Sequence, residues 1–436
     1  MTRSIPVDWW RPEPVALKNA PSAAASIGGD EPHGGRVAFW AIVCFTIVLL
    51  FTPQQWIPFL GVIRINFLFG ALAVVAHLAA PSQGKWQRFP LELKLTLALV
   101  VWGALTIPAS YWPGASLDEW LEWLKVIAVF WLIGQDVCSV GRLQTLAWVL
   151  MFSTVPLCTT ALSNFSSGAM EGGRLLGYGN NLAANPNDLA LSINLFLPIT
   201  VALALTAKRR VVSLALWAVA AMSVGGVIVT FSRGGFITLV VEGALMIGWL
   251  HRRGARRTIG AIALACVLGL ALAPAGYTDR LSTIFNPDSD TTGSAQGRRT
   301  ETFAAITMML AHPVFGAGIG LGVLAVNEAR GSNVWTDVHN AYLNYGVEMG
   351  IPGITLFIAL VIVSWRSAKR IEKGAGTKLP EELRALATAV RISLVGFSVA
   401  AFFHPIGYNP YFYYLGALAV ALKTTATRQF GARGLS

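Results

Sequence analysis

Charge is what this sequence has least of. Asp, Glu, Lys and Arg together make up 13% of its 436 residues, against roughly 25% in an ordinary soluble domain. A soluble globular chain is excluded by that shortage. Cysteine is also rare: Cys44, Cys138, Cys158 and Cys266 lie far apart, with no CxxC pair. That excludes a zinc ribbon or a disulfide framework and leaves small apolar fillers. There is no HExxH and no close pair of metal-ligand residues, so neither a metal nor another cofactor is expected. No segment alternates with the two-residue period of a barrel strand. Lipid admits only helices and closed barrels as spanning structures, so the chain reads as helical. The formal charge of +11 would suit nucleic acid in a soluble protein. In an apolar one, basic residues gather in cytoplasmic loops and fix topology, so no nucleic acid is expected.

What the sequence has is long apolar runs. A span needs about 20 mostly apolar residues, and twelve candidates lie near 37–52, 61–80, 93–111, 120–135, 143–163, 187–207, 211–231, 234–250, 257–274, 343–365, 388–405 and 409–423. The expected fold class is an all-α polytopic membrane protein. Residues 1–36, rich in Pro, Ala, Ser and Gly, form a disordered tail. Residues 37–274 hold nine spans, 275–342 one large loop, 343–425 three spans and 426–436 a short tail. Basic residues choose the sides. Arg3, Arg11, Lys18 and Arg36 precede the first span. Lys85 and Arg88, then Lys208 to Arg210, then Arg252, Arg253, Arg256 and Arg257 fill even-numbered loops, and six more lie between Arg366 and Arg384. Both termini are therefore expected in the cytoplasm, and the odd loops, including 275–342, outside. A loop that long in a compact chain points to function. Its segment 301–310 has the periodicity of a short amphipathic helix.

Basic residues on the outer side run against this bias. They are Arg64, Lys125, Arg174, Arg233, Arg280, Arg298, Arg299 and Arg330. All but one are arginine, whose planar fork binds phosphate oxygens in pairs. Lys125 can pair with Glu122, while Arg280 and Arg330 can be solvated loop charges. Arg233 follows an apolar run and is itself followed by two glycines, which let backbone approach a ligand or a neighbouring helix. Arg298 and Arg299 open the loop helix, where anions are favoured. Together with Arg64 and Arg174, these arginines form a candidate site for the phosphate or pyrophosphate of a lipid head. "GAGIGLG" at 316–322 lacks the strand and helix of a dinucleotide loop and reads as tight turning. "PDSD" at 287–290 reads as a turn.

Three stretches carry a resemblance: "SRGGF" at 232–236, "GRRTETFAAITMMLAHPVFGAGIGLG" at 297–322, and "VHNAYLNYGVEMGIPG" at 338–353. Together they resemble the bacterial O-antigen ligase family, whose superfamily also holds O-antigen polymerases and protein O-oligosaccharyltransferases. "GRLLGYGNNLAANPNDLA" at 173–190, with Arg174 and the turn at Asn185, extends the likeness. The resemblance implies a fold similar to C-type membrane glycosyltransferases and a site at the periplasmic face of the bacterial inner membrane. It implies transfer of O-antigen polysaccharide from undecaprenyl pyrophosphate to the lipid A-core oligosaccharide. No metal would be needed, and the first outer loop, 53–60, holds no acid.

Such a transfer needs a base for the acceptor hydroxyl and cations for the departing pyrophosphate. His339 takes the role of base in this reading, and a single displacement inverts the anomer. Asp337 and Asn340 are candidate orienting neighbours. Tyr342 and Tyr345 are candidates for sugar stacking or for the membrane interface. His312 and His404 are the other outward histidines, and Asp337 or Glu301 are the carboxylates that could replace His339. A polymerase or a protein glycosyltransferase would share the donor. A transporter of lipid-linked sugars is the rival of another class. Transporters place ionisable groups near the midplane, whereas the unusual charges here lie toward one face.

Overall fold

The computed structural model describes residues 35–80, 89–171, 174–179, 182–260, 294–331, 335–374 and 378–431. They form helices α1 (Arg36–Phe51), α2 (Pro58–Val62), α3 (Ile65–Ala79), α4 (Leu91–Thr106), α5 (Pro113–Asp136), α6 (Val140–Ser166), α7 (Pro186–Thr206), α8 (Arg210–Val229), α9 (Arg233–Arg252), α10 (Ser294–Ala311), α11 (Gly322–Arg330), α12 (Ala341–Lys373), α13 (Glu381–Ala400) and α14 (Pro410–Phe430). Among the described residues one strand pair forms, a two-residue antiparallel ladder of β1 (Met170–Glu171) on β2 (Arg174–Leu175).

Seven of these helices are long and apolar enough to cross a membrane: α4 with the 3-10 turn that extends it to Ala109, α6, α7, α8, α9, α12 and α13. The expected count of twelve is not reached among the described residues. α1 and α3 are apolar, but they have 16 and 15 residues. At 1.5 Å per residue that is about 24 Å, short of roughly 30 Å of hydrocarbon. α5 is long enough but carries Asp118, Glu119, Glu122, Lys125 and Asp136, and α14 carries Lys423 and Arg428. The expected span at 257–274 lies almost entirely outside the described residues, as do the tail at 1–34, Cys266 and the first part of the large loop. The loop helix predicted over 301–310 is present and longer, as α10. Cys44, Cys138 and Cys158 are free thiols.

α7 is the central helix. Its most apolar stretch is 89% buried, against 28% for α8, which turns most of its surface outward. Side chains of Val211, Leu214 and Val240 stand exposed in the way lipid requires. α7 packs on α6, α8, α9 and α13, and polar bridges cross these seams. The Asn194 amide donates to the Gly235 carbonyl at 2.9 Å, and the Ser393 hydroxyl to the Leu195 carbonyl at 2.7 Å. Without water, such groups must find partners inside the bundle.

α12 breaks at Gly350, where φ is +67° and ψ is −168°. A Cβ there would stand 2.2 Å from the Val314 carbonyl oxygen, so only glycine fits. The break divides an entry segment, Ala341–Met349, from the span proper. Around this segment wraps the glycine loop at 316–322. Gly320 and Gly322 N–H donate at 3.0 Å to the buried Glu348 carboxylate, which also accepts from the Tyr408 hydroxyl. The loop makes a tight turn, as its sequence predicts, and its amides are satisfied by the chain's own carboxylate rather than by a phosphate.

Helix ends meet at one face. Ser232, before α9, donates to Asn187 at the start of α7 at 2.8 Å. The Ala341 N–H at the start of α12 donates to the Ala401 carbonyl at the end of α13, also at 2.8 Å. Arg233, His339 and His404 lie next to these helix ends.

Candidate active site

His339 ends the extended segment that leads into α12. Asn340 caps that helix, its side-chain oxygen accepting the Leu343 N–H at 3.1 Å. That bond makes Asn340 the residue that holds the helix start. Orientation comes from Glu301. Its carboxylate lies 2.9 Å from His339 Nδ1, with the glutamate side chain 6% exposed and the histidine 32% exposed. Burial pushes the Glu301 carboxyl up. The hydrogen bond and charge of His339, a hydrogen bond from Thr336 and the charge of Arg330 outweigh it and hold the group below its ordinary value. Glu301 is therefore an acceptor, which places the proton on Nδ1 and leaves the Nε2 lone pair free.

Arg298 lies three residues before Glu301 on α10, hence on the same face. It is half-buried, whereas Arg299 and Phe303 are exposed, with the Arg299 guanidinium 6.0 Å from the Phe303 ring. The turn after α13 supplies His404, 3% exposed and packed beside Gly234. Burial first, then the charges of Arg298 and His339, bring its pKa down to about 3. A group so reluctant to take a proton is a poor general base. His312 stands elsewhere, at the far end of α10, with Nε2 3.0 Å from the Tyr111 hydroxyl. Of His312, His339 and His404, His339 alone is both oriented by a carboxylate and accessible.

Arg233 is the first residue of α9. Ser232 caps the helix by accepting the Gly235 N–H at 3.1 Å, and Phe231 before it has φ of +55°. A bulky residue in the left-handed region stores strain, a feature common at functional turns. The two glycines work as the sequence suggests. A Cβ at 235 would stand 2.5 Å from Ala190 on α7, and one at 234 would stand 3.0 Å from Phe403 and 3.3 Å from His404. The close approach is to helices and to His404. Arg233, Arg298, Glu301, His339 and His404 thus belong to one end of the bundle.

Other expected residues are placed differently. Tyr345 is fully buried, its hydroxyl donating to the Gly407 carbonyl at 2.8 Å and lying 3.0 Å from that of Tyr413. Its ring packs on Phe357 with 4.2 Å between centroids, so it has no face left for a sugar. Tyr342 is half-buried, gives its hydroxyl to the Ser398 carbonyl at 2.9 Å and packs on Phe402. Asp337 is exposed and close enough to Asp188 for their charges to interact. Arg64 is exposed at the start of α3, with φ of +49°. Arg174 pairs through its backbone with Glu171, and its side chain lies outside the description.

Residues 217–358 match the sequence model of a family described as O-Antigen ligase. Over this stretch, about a third of the chain, the sequence is similar to that family. The matched segment runs from α8 to just past the break in α12 and contains Arg233, Arg298, Glu301 and His339, while His404 and Arg174 lie beyond it. No curated protein matches the chain.

The two loop arginines should separate experimentally. Arg298→Ala is expected to slow transfer by about 10²–10³-fold at limiting donor, the usual loss of one charge-stabilising donor. Arg299→Ala should stay within a few-fold. Lysine at 298 should restore little, because a point charge replaces a fork. Equal losses at 298 and 299, in initial rates against donor concentration, would contradict the inward placement of Arg298.

Proposed function

We propose that this protein is an O-antigen ligase that joins O-antigen polysaccharide to the lipid A-core oligosaccharide at the periplasmic face of the inner membrane. The donor is the polysaccharide on undecaprenyl pyrophosphate. His339 Nε2 takes the proton of the acceptor hydroxyl as its oxygen forms a bond to the anomeric carbon. The bond from that carbon to the pyrophosphate oxygen breaks, with its electron pair leaving on the pyrophosphate. Arg233 and Arg298 receive that charge, so no acid is required at the leaving group. One displacement inverts the anomer. Glu301 is a positioning residue, which fixes the imidazole tautomer and stabilises the imidazolium that forms. The proton then leaves His339 to solvent.

The observation that carries this reading is the Glu301–His339 pair at 2.9 Å, on the helix that also bears Arg298, within the segment matched to O-antigen ligase. The test uses purified protein in detergent with lipid-linked O-antigen and, separately, lipid A-core or a second lipid-linked glycan as acceptor. Ligated lipopolysaccharide is the expected product, with the anomer inverted. Elongation of the lipid-linked glycan alone would make the protein a polymerase. Absence of any transfer without a second compartment would favour a transporter.

A further inference from the structure

A sizeable cavity among the described residues lies away from the His339 site. It lies at the opposite ends of the same helices, with a volume near 720 Å³. Three elements line it. The end of α9 contributes Arg252 and its C-cap Arg253, α12 contributes Lys369 and Lys373, and α13 contributes Arg384 and Arg391. Two carboxylates share the lining. Glu372 accepts both the Nε and the Nη2 of Arg391 and lies 3.6 Å from Arg252, and Glu381 pairs with Arg253. Six cations face two anions, a surplus of four positive charges around one cavity. Lys369, Lys373 and Arg384 form no ion pair among the described residues.

Topology alone does not explain this arrangement. Basic residues that orient a span need only be near its end, whereas these come from the consecutive helices α12 and α13 and from the far earlier α9, and they converge on a hollow. Aromatic rings mark the depth. The Lys369 ammonium stands 4.4 Å from the Trp365 ring centre, and the Arg253 guanidinium 5.9 Å from that of Trp249. Indoles with cations at helix ends are characteristic of the membrane–water interface. Thr388, Ala385 and Trp249 add small and apolar surface to the lining. Phosphate oxygens are the natural partners for such a cluster, and a glycerol backbone suits the rest.

We propose that this cavity is a binding site for an anionic phospholipid headgroup, one or two phosphates on glycerol, at the membrane face opposite the His339 site. The inference does not depend on the transferase reading. α9 and α12 begin beside Arg233 and His339 and end in this cavity, so a bound headgroup would brace the far ends of two helices that carry the reactive face.

The test is native mass spectrometry of the full-length protein in detergent, titrated separately with diphosphatidylglycerol, phosphatidylglycerol, phosphatidylcholine and inorganic phosphate. Retention of the two anionic lipids over phosphatidylcholine is expected. The variant Lys369→Gln, Lys373→Gln, Arg384→Gln removes three cations that hold no ion pair, and should weaken anionic-lipid retention about a hundredfold. Arg366→Gln with Arg370→Gln, on the same end of α12 but outside the lining, should leave it within a few-fold. Equal losses in both variants would reduce the effect to general surface charge and overturn the site. So would no loss in the cavity variant. Binding of inorganic phosphate without preference for lipid would reassign the cavity to a soluble anion.

Discussion

His339→Ala is expected to insert, to fold and to bind the lipid-linked donor, while transferring about 10²–10⁴-fold more slowly. The fold should survive because Glu301 retains Thr336 and the nearby charge of Arg330 when the imidazole is lost. Donor binding should survive because the arginines are untouched. The loss belongs to the chemical step, and should appear in kcat far more than in the donor KM. His404 should not take over, since its burial holds its pKa near 3. Folded protein transferring within a few-fold of wild type would remove His339 from the chemistry and direct attention to Asp337 or Glu301.

Much of this arrangement was legible in the sequence, and what was not has physical reasons. His339 stood out because a titratable group at the mouth of an apolar run is unusual, and Arg233 because a cation followed by two glycines is. The loop helix could be read from its periodicity. The partner of His339 could not, because Glu301 and His339 lie 38 residues apart and nothing in their spacing reports contact. The better signal was the three-residue step from Arg298 to Glu301, which puts a cation and a carboxylate on one helix face. The same helical logic separates Arg298 from Arg299: adjacent residues point about 100° apart, so only one of a pair can face the site. Tyr345 departs from the expectation its sequence context raises for a related reason. An aromatic residue one turn into a helix resembles an interface anchor, but the break at Gly350 tucks the entry segment Ala341–Met349 into the bundle and buries it. Asn340 next to His339 looked like an orienting partner, yet a helix start needs a cap first. Among the described residues the span count stays below twelve where helices are short, as in α1 and α3, or carry charge, as in α5.

The pairing of Glu301 with His339 leads to the second large effect, and to an unusual order of variants. Glu301→Gln should be more damaging than Glu301→Ala. A carboxylate has two acceptor oxygens and can take both the Thr336 hydroxyl and His339 Nδ1–H. An amide has one acceptor oxygen and a donor group. The Thr336 hydroxyl already accepts from Arg330 Nη1 at 2.9 Å, so its hydrogen points toward residue 301 and claims the amide oxygen. The amide N–H then faces Nδ1, which must accept. That moves the imidazole proton to Nε2, the atom required as base. A wrong tautomer held in good geometry costs a histidine-dependent enzyme up to about 10⁴-fold. Alanine removes the orientation but imposes no tautomer, and should cost less. Adding Thr336→Val to Glu301→Gln frees the amide to turn over and should return part of the rate. A purely structural Glu301 predicts the reverse order, with alanine worse and the second change additive. Stability gives a separate reading. Glu301 titrates below its ordinary value of 4.5 in the folded chain, so its ionised form binds its partners better folded than unfolded. That contribution is complete at pH above about 4.5 and disappears as pH falls through the lowered value. The melting temperatures of wild type and Glu301→Gln should therefore differ at neutral pH and converge in acid. A gap that stays constant down through that range would mean that the carboxylate's charge is not what the pair uses.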